Sequence, residues 1–259
     1  DSGTRVANTI HVKPEIRLMG ASVRPNGMSS AAAALRYWER RQEVTSNNLA
    51  NVSTDGFKGQ KVFARMVEGA LPAADEVTDF SQGTLNTTNN PRDVALDGRG
   101  FFVVKTPNGE RYTRGGSLQV SDSGDLTDAS GNPILGENGA IRVATPGQSQ
   151  IGALQISRDG TVSVDNAEVG RLRIETIPEK TTLSAEGSGL FIPPSTRKKA
   201  DQDLRIVRQG ALEQSNVTPI SEMVDMISIQ RAYTAVQKAV TTLDTVREIA
   251  TTELARPAN

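Results

Sequence analysis

Few residues of this chain are suited to catalysis or metal binding, and the two types that most often serve there, cysteine and histidine, are almost missing. The chain has 259 residues, no cysteine and one histidine, His11. Without cysteine there is no thiolate nucleophile, disulfide or zinc–thiolate site. His11 precedes every patterned element, so the body of the protein lacks the commonest general base. We therefore predict a protein that is not an enzyme and that needs no metal or cofactor.

Two short patterns resemble ligand sites only superficially. Asp122, Asp125 and Asp128 recur every three residues around a glycine. A calcium-binding EF-hand loop uses alternate residues and a bidentate glutamate, so turn chemistry is the better interpretation of these aspartates. Gly98-Arg99-Gly100 lacks the third glycine of a dinucleotide-binding loop and precedes a strand pattern, which indicates a tight turn.

Charge and hydropathy exclude other classes of partner. The 29 basic and 30 acidic residues nearly cancel, so no overall field attracts nucleic acid or anionic lipid. No apolar run approaches the roughly 18 to 20 residues of a membrane span, and we predict no membrane insertion. Residues 1–28 contain no apolar core of a secretory signal peptide, so none is expected.

An N-terminal helix is predicted over residues 31–54. A stripe along it has alternating spacings of three and four residues, typical of a coiled coil: Leu35, Trp38, Gln42, Thr45, Leu49 and Val52. Trp38 is interpreted as a packing residue, with a membrane-interface anchor as the alternative. Gly56 could end the helix in the left-handed conformation, with Phe57 contacting Val52 as in a Schellman motif.

Three asparagines crowd the end of this helix. Asn47, Asn48 and Asn51 are poor helix formers. Their amides either bond across a helix interface, which we favour, or simply cap a fraying end.

A second helix is predicted from Thr218-Pro219, an N-cap followed by proline at the first helical position, to about Leu254. At 1.5 Å per residue it spans roughly 50 Å. Apolar residues repeat along it as a heptad: Ile229, Ala232, Val236, Ala239, Leu243, Val246 and Ala250. This stripe is too long for the chain's own β region to cover. We expect it to pack on the N-terminal helix and on helices of neighbouring subunits.

The middle of the chain has β patterns separated by turn residues. Residues 101–105 and 111–114 flank Pro107-Asn108-Gly109-Glu110, and residues 154–157 and 161–164 flank a second glycine turn, which predicts two hairpins. Residues 193–199, with Pro193-Pro194 and the basic run Arg197-Lys198-Lys199, are expected to form an exposed loop.

We predict an α+β fold, with long N- and C-terminal helices pairing as a coiled coil and a central antiparallel all-β domain. The expected division is a disordered extension at 1–27, a helical domain at 28–56 and 215–254, an extended connector at 57–80, and a β-rich domain at 81–214. The predicted assembly interface lies on the helices: Leu35, Trp38, Asn47, Asn48, Leu49, Asn51, Val52, Ile229, Ala232, Tyr233, Val236, Ala239, Leu243, Val246 and Ala250.

Three separated motifs resemble those of the bacterial flagellar rod and hook proteins. The first is Asn47-Asn48-Leu49-Ala50-Asn51-Val52-Ser53-Thr54-Asp55-Gly56-Phe57-Lys58. The second comprises Ser81-Gln82-Gly83-Thr84-Leu85, residues 92–102 and Tyr112-Thr113-Arg114-Gly115-Gly116-Ser117-Leu118. The third is Leu212-Glu213-Gln214-Ser215-Asn216-Val217 with Met226 and Gln230-Arg231-Ala232-Tyr233. Residues 131–141 look more like proximal than distal rod subunits.

The resemblance covers residues 28 to about 250 and implies an axial structural subunit. It implies terminal helices that form an inner tube and a β domain outside it. It also implies copies of the chain and other rod and hook subunits as partners, the flagellar type III export apparatus as the route, and the periplasmic rod as the location. Residues 1–27 lie outside the resemblance. A secreted β-rich adhesion module and a peptidoglycan hydrolase are the alternatives.

Overall fold

The computed structural model describes residues 27–65, 73–147, 152–178, 183–200 and 206–254. Two helices, α1 (Gly27–Ala50) and α2 (Pro219–Leu254), occur in these ranges and enclose the strands in sequence. The strands are β1 (Gln60–Arg65), β2 (Ala73–Thr78), β3 (Leu85–Thr87), β4 (Val94–Asp97), β5 (Phe101–Thr106), β6 (Gly109–Thr113), β7 (Gln119–Val120), β8 (Leu126–Thr127), β9 (Leu135–Gly136), β10 (Gly139–Ala140), β11 (Leu154–Ile156), β12 (Thr161–Val164), β13 (Ala167–Arg171), β14 (Ile174–Thr176), β15 (Ala185–Gly187), β16 (Leu190–Phe191), β17 (Lys198–Lys199), β18 (Ile206–Gln209) and β19 (Ala211–Glu213).

The strand pairs in the described residues are all antiparallel. The largest sheet has the order β15-β16-β6-β5-β14-β17, and β11-β12-β13 form a second sheet. Two-stranded pairs complete the region, among them β4 with β18 and β3 with β19. Both predicted hairpins are present, as β5–β6 and β11–β12. The central antiparallel β region of the prediction is therefore confirmed.

The six-stranded sheet is buried on both faces, because successive side chains of a strand point in opposite directions. Phe102 and Val104 of β5 belong to the larger apolar cluster. Phe101 and Val103 face the other way, into a smaller cluster that includes Phe191. Aromatic rings dominate the smaller cluster, with the Phe101 and Phe191 centroids 5.9 Å apart. This double burial gives the β region a core that does not depend on the helices.

Both edges of this sheet are short. β17 consists of Lys198 and Lys199, which pair with β14 and remain exposed. We expected an exposed loop here, and the structure instead ends the sheet with two charged residues. At the other edge β15 has three residues, all of them exposed.

The segment expected to be an extended connector contains a hairpin. β1 pairs with β2 over six residues, with Val62 facing inward at 9 % exposure and Phe63 outward at 52 %. An isolated two-stranded hairpin is marginal in water. Here the Arg40 side chain of α1 donates a hydrogen bond to Glu76 of β2, which joins the hairpin to the helix.

The helix ends differ in how well the sequence predicted them. α2 begins at Pro219, as expected. α1 covers residues 27–50 instead of 31–54. Gly56 has the expected positive φ, +68°, but its N–H donates to the Glu213 carbonyl at 2.6 Å and not to α1. Gly56 therefore fixes the chain against β19 and does not end the helix.

The predicted coiled-coil pairing of the helices is wrong. α1 lies antiparallel to α2, because Asn48 contacts Glu222 at one end and Gly27 lies beside Leu243 at the other. From Thr241 to Thr252, however, the residues of α2 are all exposed. Coiled-coil packing needs side chains that fill holes on the facing helix. Near Leu243, α1 begins with Gly27 and Met28, followed by two serines and four alanines, and most of these side chains are too short to form such a seam.

Candidate assembly site

The first half of α2 is the part of the helix that packs within the chain. Ile229 is 1 % exposed, and Tyr233, Val236 and Val240 are half-buried. Opposite them, α1 buries Val44, Thr45 and Asn48. Polar contacts accompany this packing, since the Tyr233 hydroxyl donates to Glu39 Oε1 at 3.1 Å. The helix pair is thus closed over its first half and open beyond it.

The predicted interface residues fall into two groups. In and just after α1, Leu35, Trp38, Leu49 and Val52 are half-buried. In α2, Ala232 is half-buried like Val236, whereas the last four members of the heptad are exposed: Ala239, Leu243, Val246 and Ala250. The first group packs within the chain, and the second is accessible to another molecule.

Trp38 packs against its own helix. Its ring lies edge-on to Tyr37 with centroids 5.1 Å apart, and the Arg41 guanidinium lies 5.6 Å from the ring centroid. These contacts favour the packing interpretation over a membrane-interface anchor. Among the described residues no helix has the length and apolar character that crossing a membrane requires.

The three asparagines have different partners. Asn48 is 4 % exposed. Its side chain accepts from the Gln60 N–H at 2.9 Å and donates to the Gln60 carbonyl at 2.8 Å, so it holds β1 as a neighbouring strand would. Asn47 and Asn51 bond each other instead, with Asn51 Nδ2 2.7 Å from Asn47 Oδ1. Of these three asparagines, Asn48 is the one that links α1 to a strand in the described residues.

Glu222 of α2 also lies at this link. Burial raises its pKa, and the hydrogen bond donated by Asn48 at 3.3 Å partly opposes that shift. A carboxylate in the first turn of a helix is stabilised by the helix dipole. The first turn of α2 is therefore held by polar contacts on the side that faces α1.

A second face of α2, turned away from α1, was not predicted. We call it the outer row; spacings of three and four residues place its exposed members on one side of the helix: Ile220, Val224, Ile227, Arg231, Ala235, Lys238, Thr242, Val246 and Ile249. The row is apolar at both ends and carries two cations in its middle. Ile220 is 74 % exposed and Ile249 58 %. The signal was present in the sequence, but the heptad beginning at Ile229 follows a different stripe and shares only Val246 with the row.

The acidic triplet forms turns. Asp125 pairs with Arg142 at 3.0 Å, and this hydrogen bond lowers the pKa of Asp125. Asp128 accepts from the Ser130 and Asn132 N–H groups at 2.9 and 2.8 Å. In the part of the chain that the structure describes, no three potential ligands are grouped as a metal ion would need.

Comparison with known proteins identifies the relatives of these elements. Three family models match in chain order. Residues 28–58 match the flagella basal body rod protein, residues 95–164 the flagellar hook protein FlgE/F/G D1 domain, and residues 208–253 the C-terminal region of the flagellar basal body rod FlgEFG proteins. The first and last contain α1 and most of α2, and the middle one contains much of the β region.

Individual relatives align over most of their length. The flagellar basal-body rod protein FlgF of Caulobacter vibrioides is 32 % identical over 77 % of this chain and 85 % of its own. FlgF of Salmonella typhimurium is 36 % identical over 79 % and 88 %. FlgG of Buchnera aphidicola (subsp. Schizaphis graminum) is 33 % identical over 78 % and 89 %. Relatives with both names align at similar identity, and all are rod proteins. The chain therefore belongs to the family of bacterial flagellar basal-body rod proteins.

Proposed function

We propose that this chain polymerises through its terminal helices into the flagellar rod and transmits torque as part of that shaft. The outer row of α2 is the observation that supports this most. Its apolar ends are exposed by 52 % or more at Val224, Ile227, Val246 and Ile249. Exposed apolar side chains grouped in this way at each end of the row mark an interaction site.

We infer that the row joins subunits into a polymer, in keeping with the rod proteins to which the chain is related. Its two apolar ends lie about 20 residues apart, or roughly 30 Å along the helix at 1.5 Å per residue. If one end of a subunit contacts a different surface of the next, the contact is heterologous, and a rotation that does not close gives a helical filament. The exposed heptad residues Ala239, Leu243 and Ala250 flank the C-terminal end and would extend the same interface.

The proposed role is structural, not enzymatic, as the names of the relatives also suggest. We divide the subunit into a helical part (28–56 and 215–254) that forms the inner layer, a connector (57–80), and a β-rich part (81–214) that forms the outer layer. Its partners would be copies of itself and other axial rod and hook subunits.

We further propose a proximal position in the rod, as for FlgF. The sequence of residues 131–141 supports this choice. The location would be the rod in the periplasm, reached through the flagellar type III export apparatus.

Val246→Asp tests the interface. Val246 is 57 % exposed, so the substitution should leave the subunit folded. In the assembled rod it would bury an unpaired carboxylate, which costs several kcal/mol or forces protonation. We expect loss of motility in a deletion strain that carries this variant, with normal thermal unfolding of the purified protein. Thr241→Asp, an equal charge change on a different side of α2, is the control and should remain motile.

Normal motility with Val246→Asp, or equal loss with both variants, would show that the outer row does not face a partner. A change in thermal unfolding of the Val246 variant would show that the residue acts within the subunit.

A further inference from the structure

Four segments meet where the helices join the β region, and a buried ion pair lies between them. The Lys58 ammonium is 2.5 Å from Glu213 Oε1, and both side chains are fully buried. Lys58 also donates to the Ser81 carbonyl at 2.6 Å, and Glu213 Oε1 accepts from the Gly83 N–H at 2.9 Å. The residues after α1, those before β3, and β19 are thereby joined at one point.

Arg114 brings the β region into this cluster. Its Nη1 lies 3.1 Å from Glu213 Oε2, and its Nη2 donates to the Gly98 carbonyl at 2.6 Å. The guanidinium also lies 5.5 Å from the centroid of the Phe101 ring. Two cations therefore share one carboxylate, and burial lowers the pKa of both Lys58 and Arg114 while Glu213 opposes that shift.

The backbones around the cluster approach too closely for side chains. A Cβ at Gly56 would lie 2.4 Å from the Arg114 carbonyl carbon. A Cβ at Gly83 would lie 2.0 Å from the Gln214 carbonyl oxygen. Direct backbone contact of this kind leaves little freedom for one segment to move against another.

Asn216 adds a neutral contact beside the ions. Its Oδ1 accepts from the Gly59 N–H at 2.8 Å, and its Nδ2 donates to the Asp79 carbonyl at 2.8 Å. Asn216 lies three residues before α2, so this side chain connects the start of one helix with the segment that follows the other.

We propose that Lys58 and Glu213 are positioning residues that fix the orientation of the helix pair relative to the β region. Lys58 follows α1 and Glu213 precedes α2, 155 residues later. A buried charge without its partner is strongly destabilising, so the cluster forms only when both ends of the chain are in place. This role concerns the shape of the subunit and is independent of which surfaces the subunit contacts in a polymer.

Lys58→Met separates positioning from folding. It removes one cation and keeps the aliphatic stem, while Arg114 and Glu213 still neutralise each other inside the β region. Because the chain has no cysteine, two introduced cysteines can carry spin labels without background. Ala235 of α2 and Gln155 of β11 are exposed and suit this purpose.

Pulsed electron–electron double resonance on the purified full chain then measures the distance between the two spin labels. We expect one narrow distribution in the otherwise unchanged protein, and loss of that narrow distribution in Lys58→Met with the thermal transition of the β region retained. Lys61→Met is the matched control, since Lys61 is 65 % exposed and should leave the distribution narrow. Asn216→Ala should broaden the distribution in the same direction as Lys58→Met.

A distribution that stays narrow in both Lys58→Met and Asn216→Ala would overturn the proposal, as would a broad one without either substitution. Loss of the β-region transition in Lys58→Met would also overturn it, because the ion cluster would then hold the β core together and not the helices against it.

Discussion

Two isoleucines two residues apart in α2 allow folding and assembly to be separated. Ile229 is 1 % exposed and packs towards α1, whereas Ile227 is 52 % exposed in the outer row. We predict that Ile229→Ala opens the helix pair, and that Ile227→Ala leaves the pair intact and weakens assembly.

The exposures set the expected magnitudes. Truncating a buried isoleucine to alanine costs about 2–5 kcal/mol, because transfer free energy is lost and a cavity remains. Full burial of such a side chain is worth about 1.5–3 kcal/mol, so half-exposed Ile227 should lose about 1 kcal/mol and leave no cavity. The better helix propensity of alanine offsets up to about 0.7 kcal/mol of that loss.

Hydrogen exchange of the backbone amides of residues 44–48 reports the opening of the pair. A cost of 2 kcal/mol corresponds to about 30-fold lower protection. We expect protection to fall at least about 30-fold in Ile229→Ala and to change little in Ile227→Ala. In a strain limited in subunit expression, we expect Ile227→Ala to reduce motility more than Ile229→Ala does. Equal protection in the two variants, or a larger loss for Ile227→Ala, would refute the assignment of the two faces.

Two further predictions concern the β region. Tyr112→Phe removes the hydroxyl that donates to buried Glu175 and should destabilise the β region by about 1–3 kcal/mol in thermal unfolding, whereas Tyr233→Phe on the helices should leave that transition unchanged. Burial opposes ionisation of Asp79, but hydrogen bonds led by the Ser81 amide outweigh it and lower its pKa from 3.8 to about 2. The stability contributed by this carboxylate is therefore present above about pH 4 and lost as pH falls towards 2. The difference in urea unfolding midpoint between the unchanged protein and Asp79→Asn should shrink as pH falls from about 4 to 2. A difference that stays constant over this range would contradict the lowered pKa of Asp79.

The sequence predicted the elements that local signals determine. Thr218-Pro219 marked the start of α2 correctly, and the Pro107-Asn108-Gly109-Glu110 turn marked the β5–β6 hairpin. These signals act within a few residues, so no knowledge of the rest of the fold is needed. The β1–β2 hairpin was missed, because much of its stability comes from contacts with α1.

Contacts between distant residues could not be predicted in the same way. The motifs that contain Lys58, Arg114 and Glu213 were noticed separately, but nothing in the sequence shows that their charges meet. The coiled-coil prediction failed for a related reason. The heptad in α2 indicates which residues could pack against another helix. Whether Leu243 is buried depends on which side chains of α1 lie opposite it.

The two lysines of β17 would have a consequence in the proposed filament, where many copies of the chain lie close together. A sheet edge presents unpaired backbone groups that can add a strand from another copy. In a filament many such edges would lie close together, and pairing between them would give irregular aggregates. Adjacent copies that approach through Lys198 and Lys199 bring like charges together, so this route is unfavourable. Lys198 and Lys199 would thereby disfavour pairing of subunits through this sheet edge, so that a filament grows through other surfaces.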